Sequence, residues 1–105
     1  MKSNFKRPFK NFVKKAHKPL QLVINDEVDY VCGHPYEGEP KVGDLAGFFV
    51  RKFTFNRQLY LMAYRPPPED QAIEDVEIEF LVIDFYRVGV HENFYDELKH
   101  YIKEE

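Results

Sequence analysis

Between Gly47 and the triple proline Pro66-Pro67-Pro68 lies the stretch that most limits how this chain can fold. Phe48–Phe55 is a β-type run rich in aromatics and Val, and Gln58–Arg65 is a second. Only Asn56-Arg57 separates them, so the pair predicts an antiparallel hairpin, although Asn-Gly would be the stronger turn signal. Proline cannot serve a central ladder, so the return strand must end at Pro66.

On either side the hydrophobic period changes. Phe5, Phe9, Phe12, Val13 and Ala16 recur at helical spacing with lysines between them. Pro8 fits only near a helix start, which predicts a first helix from about Arg7 to His17-Lys18. Pro19 opens a second, in which Leu20, Val23, Ile24, Val28 and Val31 make one apolar stripe and Gly33 is the stop. Two antiparallel helices joined by a tight turn are the simplest reading. His34–Asp44, punctuated by Pro35, Gly38, Pro40 and Gly43, reads as loop, and Glu69–Asp75 as an acidic loop.

The longest predicted strand is Val76–Val88. It alternates at first, with Glu77 and Glu79 facing away from Ile78 and Phe80. At Leu81-Val82-Ile83 it is apolar on both faces, as a strand covered on both sides should be. Gly89 is expected to break it. Phe94, Leu98 and Ile102 then predict a short amphipathic helix over His91–Lys103. The expected class is α+β, with residues 1–105 as a single domain: an N-terminal helical hairpin on a small curved antiparallel sheet, then a short C-terminal helix.

Cys32 is the lone cysteine, so no internal disulfide can form. No run approaches the roughly 20 apolar residues of a membrane span, and no signal-peptide core is present. A cytoplasmic location is expected. Net charge is −3, but it is segregated. Residues 1–19 carry seven Lys and Arg and no acid, and residues 51–65 carry Arg51, Lys52, Arg57 and Arg65 with no acid. An acidic total argues against nucleic acid, whereas one basic face is a sufficient electrostatic footprint.

Two stretches are distinctive together. One is Lys41-Val42-Gly43-Asp44-Leu45-Ala46-Gly47, running into Phe48-Phe49-Val50-Arg51-Lys52-Phe53. The other is Arg87-Val88-Gly89-Val90-His91-Glu92-Asn93-Phe94-Tyr95. With the Phe- and Lys-rich first helix, they resemble the RelE/ParE superfamily of toxins from type II toxin–antitoxin systems, and within it the ParE-like subgroup. The resemblance runs from Phe5 to about Tyr101. It implies the helical hairpin on a curved sheet and a cognate antitoxin protein as partner. It also implies one of two actions: cleavage of mRNA, in the ribosome for the RelE type, or inhibition of DNA gyrase for the ParE type. Members of that superfamily mostly begin with a β-strand, for which Met1–Asn4 leaves little room, so the sheet is expected to lack an edge strand.

The pattern Arg-x-Gly-x-His-x-x-x-aromatic resembles an RNA-cutting branch. Carried over, it implies His91 as general acid or base, Tyr95 stacking on or positioning a base, and Arg87 holding the scissile phosphate. Arg51, Lys52, Arg57 and Arg65 would extend the grip on RNA. Cleavage through the 2′-hydroxyl needs a base, an acid and cations around the phosphorane, and histidine is the side chain suited to both proton transfers. No cofactor is implied.

Plainer readings stand beside these. His91 can satisfy local backbone groups at a helix start, Tyr95 can fill core, and Arg87 can form a surface ion pair with Asp84 or Glu92. Cys32-Gly33-His34 offers two ligands where zinc needs three or four, so no metal is expected and Cys32 is read as a small buried residue. His17 and His100 read as solvated helix residues. The basic first helix suits RNA or an acidic antitoxin segment better than a membrane surface. The acids of Glu69–Glu79 read as a solvated hairpin tip, or else as a shield that repels RNA. The reading preferred is an mRNA endonuclease toxin. Its rivals are a gyrase inhibitor and a member that only binds its antitoxin.

Overall fold

Proline sets both helix starts. Pro8 and Pro19 occupy the first turns of α1 (Arg7–Lys15) and α2 (Lys18–Gly33), where the missing N–H costs nothing. In this computed structural model, which describes residues 1–70 and 81–105, α1 ends at Lys15, a turn shorter than its periodicity suggests. Ala16 and His17 form the link, and the Gln21 amide ties the helices by donating to the Val13 carbonyl at 2.7 Å.

The sheet is mixed, which corrects the all-antiparallel expectation. Its order is β1-β5-β4-β3-β2, with β1 (Lys2–Phe5), β2 (Glu39–Pro40), β3 (Phe49–Phe55), β4 (Gln58–Arg65) and β5 (Val82–Val90). The N-terminal strand does exist. β1 pairs in parallel with β5, Lys2 opposite Val82 and Phe5 opposite Phe85. Four residues suffice because an edge strand needs only backbone pairing. Three of its four side chains are exposed and so carry no hydrophobic pattern. The β3–β4 turn falls on Asn56 and Arg57 as expected, both at positive φ (49° and 64°), the geometry of a two-residue hairpin turn that matches strand twist. The expected loop over 34–44 contains β2, whose Pro40 is tolerated because β2 is an edge.

The turn between β2 and β3 explains one of the two distinctive motifs. Gly43 and Gly47 both have positive φ (65° and 92°) and bracket a 3₁₀ turn over Gly43–Leu45, so Leu45 and Phe48 drop into the core.

Each face of the sheet carries its own core. Phe9, Leu20, Ile24, Val28 and Val31 of α1 and α2 pack on Phe53, Met62, Tyr64, Ile83, Phe85 and Val88. On the other face, Phe94 and Leu98 of α3 (Phe94–Glu104) pack on Leu45, Phe48, Val50, Leu61, Ala63 and Tyr86. Fully burying a residue such as Phe85 is worth about 1.5–3 kcal/mol, so these two layers carry the fold. β5 is covered on both sides, although Val82 itself is exposed.

Gly89 does not break β5. It pairs with Leu61 inside the strand, and a Cβ there would lie 3.6 Å from the Phe12 ring of α1. α3 begins at Phe94, three residues later than expected, because Asn93 is left-handed at φ 58°. Cys32 is partly exposed rather than buried, with its sulfur 3.2 Å from the Ser3 hydroxyl of β1. The expected strand start at 76–80 and the acidic segment after Asp70 lie outside the described residues.

Candidate active site

β5 ends at Val90, opposite Tyr60 of β4, and the chain then turns through His91, Glu92 and Asn93. The Phe94 N–H donates to the His91 carbonyl at 3.1 Å, and the Phe94 ring is buried. That anchor leaves His91 exposed at the surface and Tyr95 half-buried beside it. Because the helix has not begun at His91, the two are not stacked by helical spacing. Their rings nevertheless meet edge to face, with centroids 5.9 Å apart.

Lys41 completes the group. It follows β2, and its N–H donates to the Phe48 carbonyl at 2.9 Å, which fixes the backbone. Its Nζ lies 4.9 Å from the centre of the Tyr95 ring and 2.8 Å from the Glu39 carboxylate. Glu39 in turn lies 3.6 Å from Lys52. Lys52 shares a sheet face with Val50 and Leu61, the face that carries α3, because side chains alternate along a strand. The hydrogen bond from Lys41, then the charges of both lysines, hold the Glu39 carboxyl below its ordinary range. The same bond raises the Lys41 ammonium against the pull of partial burial. The result is two ammonium groups on one carboxylate, one of them over a tyrosine ring that an imidazole also meets, so that groups able to transfer protons and to bind anions adjoin.

Arg87 takes a different course. A register shift between Ala63 and Tyr64 places Ala63 opposite Arg87 and Tyr64 opposite Phe85, leaving Tyr86 as an extra residue in β5. Such a bulge sends adjacent side chains to one face, so Tyr86 and Arg87 both point toward α3. The Arg87 guanidinium bonds the Glu97 carboxylate, and its carbon lies 5.9 Å from the Phe94 ring. This is an ion pair, but with α3 rather than with Asp84 or Glu92. No hydrogen bond or ring contact joins Arg87 to His91 among the described residues.

The hairpin cations do not gather in one place. Arg51 points to the α2 face, bonded to Glu27 at 2.7 Å and 4.1 Å from the Tyr30 ring. Arg65 donates to the Tyr86 hydroxyl at 2.6 Å, with Phe48 and Tyr86 ring centres 5.1 Å away. Tyr86 then donates to Glu105 at 2.9 Å, and Lys6 lies 3.1 Å from the same carboxylate. Burial first, and then the bond to Glu105, pushes the Tyr86 phenol well above its ordinary range. Glu105 is lowered: burial opposes its charge, but the bonds from Tyr86 and Lys6 outweigh it. Arg57 is exposed at the hairpin tip. Of these four cations, only Lys52 shares a partner with Lys41.

Sequence reasoning missed Lys41 and Glu39 as site residues. The available signal was Lys41 at the head of the Gly43–Gly47 motif, but its place beside Tyr95 depends on the β2–β3 pairing. Among the described residues, no group of three or more His, Cys, Asp or Glu side chains is placed to hold a metal ion. None of the described helices is long and apolar enough to cross a membrane.

Compared with known proteins, residues 4–99 match a family model described as ParE-like toxin of type II bacterial toxin–antitoxin system. No curated protein and no solved structure matches the chain.

Proposed function

Because that match covers most of its length, the chain belongs to the ParE-like toxins of type II bacterial toxin–antitoxin systems, and we propose that it arrests growth by cutting messenger RNA. Membership brings an antitoxin protein as partner. The observation that carries the cleavage reading is the grouping of His91, Tyr95 and Lys41 at the end of β5, with Lys52 beyond the shared Glu39.

In this reading the 2′-hydroxyl gives its proton to a base, its oxygen attacks phosphorus, and the 5′-oxygen leaves with a proton from an acid. A 2′,3′-cyclic phosphate remains. His91 serves one of the proton transfers, Tyr95 offers its ring to a base, and Lys41 and Lys52 stabilise the phosphorane. Arg87, bound to Glu97, stays outside this group.

A second reading is non-enzymatic inhibition of DNA gyrase. It is favoured by the commitment of Arg51 and Arg65 to internal partners, which leaves fewer hairpin cations for RNA. Induced expression separates the two. Cleavage predicts a stop in translation that His91→Ala relieves while antitoxin binding is retained. Filamentation and a DNA-damage response unaffected by His91→Ala would favour gyrase and sink the nuclease. If neither phenotype appears, the chain only binds its antitoxin.

A further inference from the structure

The largest block of positive charge in this chain lies on α1. Arg7, Asn11 and Lys15 recur at four-residue intervals along one face of that helix, each step rising about 6 Å. All three are exposed, and neither Arg7 nor Lys15 has an ion-pair partner among the described residues. They form one wall of a groove of about 420 Å³ between α1 and α3. Tyr101 and Glu104 form the other wall, and Arg87 and Val88 of β5 form the floor. Arg7 and Lys15 therefore face Glu104, which lies 2.9 Å from His100, while Arg87 on the floor is paired with Glu97. The β5 bulge is what delivers Arg87 to this floor. Glu97 occupies one terminal nitrogen of a guanidinium that has five N–H donors; its Nε is buried, so a ligand in the groove meets the remaining terminal N–H groups.

We propose that the groove between α1 and α3 holds the phosphodiester backbone of a single nucleic-acid strand. Arg7, Lys15 and Arg87 meet phosphates, and Asn11 donates between them. The identity of the strand rests on the RNA reading above; the contact itself rests on the groove. The spacing favours a nucleic acid over an acidic protein segment. Cations about 12 Å apart suit an evenly charged polymer, and the groove, although Pro8, Phe12, Val88 and Tyr101 also line it, is more polar than apolar. The apolar hollow lies on the opposite side of α1, where Lys10 and Lys14 rim a cleft lined by Phe9, Val13, Ile24 and Val28. Those two lysines make a control of equal charge on the same helix.

The test is fluorescence anisotropy with a short, end-labelled 2′-O-methyl RNA. This probe keeps every phosphate but lacks the attacking hydroxyl, so a defect in cleavage cannot pass for a defect in binding. Arg7→Glu/Lys15→Glu should weaken binding by about tenfold or more. It should also flatten the slope of log K against log salt by about 1.4, roughly 0.7 for each phosphate that is no longer neutralised. Lys10→Glu/Lys14→Glu should cost less than about threefold. The milder Arg7→Gln/Lys15→Gln pair guards against misfolding and should give the same ranking.

Equal losses from the two pairs would overturn the groove, as would no binding by the wild type at about 50 mM salt. So would an acidic peptide that competes as well as RNA of equal charge. If no RNA is cut but the ranking of the pairs holds, the groove stands and the cleavage reading falls.

Discussion

The guanidinium of Arg51 lies 2.7 Å from the Glu27 carboxylate, on the face of the sheet that α2 covers and α3 does not. Both side chains are partly buried, and Arg51 also stacks on Tyr30. An arginine held this way serves the fold. Arg51→Ala should therefore cost about 1–2 kcal/mol, the range for a hydrogen bond to a charged group after solvent screening. Urea melts would read that loss, while RNA cleavage per folded molecule stays at the wild-type rate. A cleavage loss without a stability loss would put Arg51 in the RNA grip after all.

Asn93 controls where His91 stands. A left-handed residue there lets α3 start at Phe94 and leaves the imidazole exposed beside Tyr95. Asn93→Ala places a residue poorly suited to φ 58° at that turn and should cost about 1 kcal/mol, whereas Asn93→Gly should stay within a few tenths of wild type. Thermal melts of the two variants would give the comparison. Equal destabilisation by both would mean that the Asn side chain, not the backbone angle, matters.

The sequence carried the helices, the hairpin and the two-sided central strand because each has a hydrophobic period or a proline that fixes its bounds. It did not carry β1 or β2. Both are short edges with exposed side chains, and only their pairing with β5 and β3 defines them. The β5 bulge was equally invisible, since Phe85-Tyr86-Arg87 reads as plain alternation. That single extra residue is why Arg87 pairs with Glu97 and reaches the groove floor. His91 and Tyr95 were legible from their motif. Lys41 was not recognised as a site residue, because its neighbour Tyr95 is 54 positions away in the chain.

The Glu105 latch gives a pH signature. Tyr86 and Lys6 hold the carboxyl below its ordinary value, so the charged form is favoured in the folded state. Its contribution is complete above the unfolded carboxyl's pKa of about 4.3 and is lost as pH falls through the lowered folded value. Glu105→Gln should therefore cost about 1 kcal/mol at neutral pH and progressively less as the solution is acidified below about pH 4. Urea melts across that range would show the two curves converging. Parallel curves would mean the carboxylate charge contributes nothing.

Glu39 offers the sharpest test of the candidate active site, because it predicts a gain. Its carboxylate engages Lys41 directly and lies 3.6 Å from Lys52, the two cations assigned to the phosphorane, and so competes with any phosphate that approaches them. Glu39→Gln keeps the shape and removes the charge, freeing both ammonium groups. RNA affinity and cleavage should rise by about threefold, the scale of one screened surface charge pair. Lys41→Ala should act in the opposite sense. It removes a cation and the group that sits over the Tyr95 ring, and should lower cleavage by about a hundredfold with melting nearly unchanged. Single-turnover cleavage of a labelled transcript would measure both. If Glu39→Gln and Lys41→Ala shift the rate in the same direction, the two residues do not form one electrostatic unit around a phosphate.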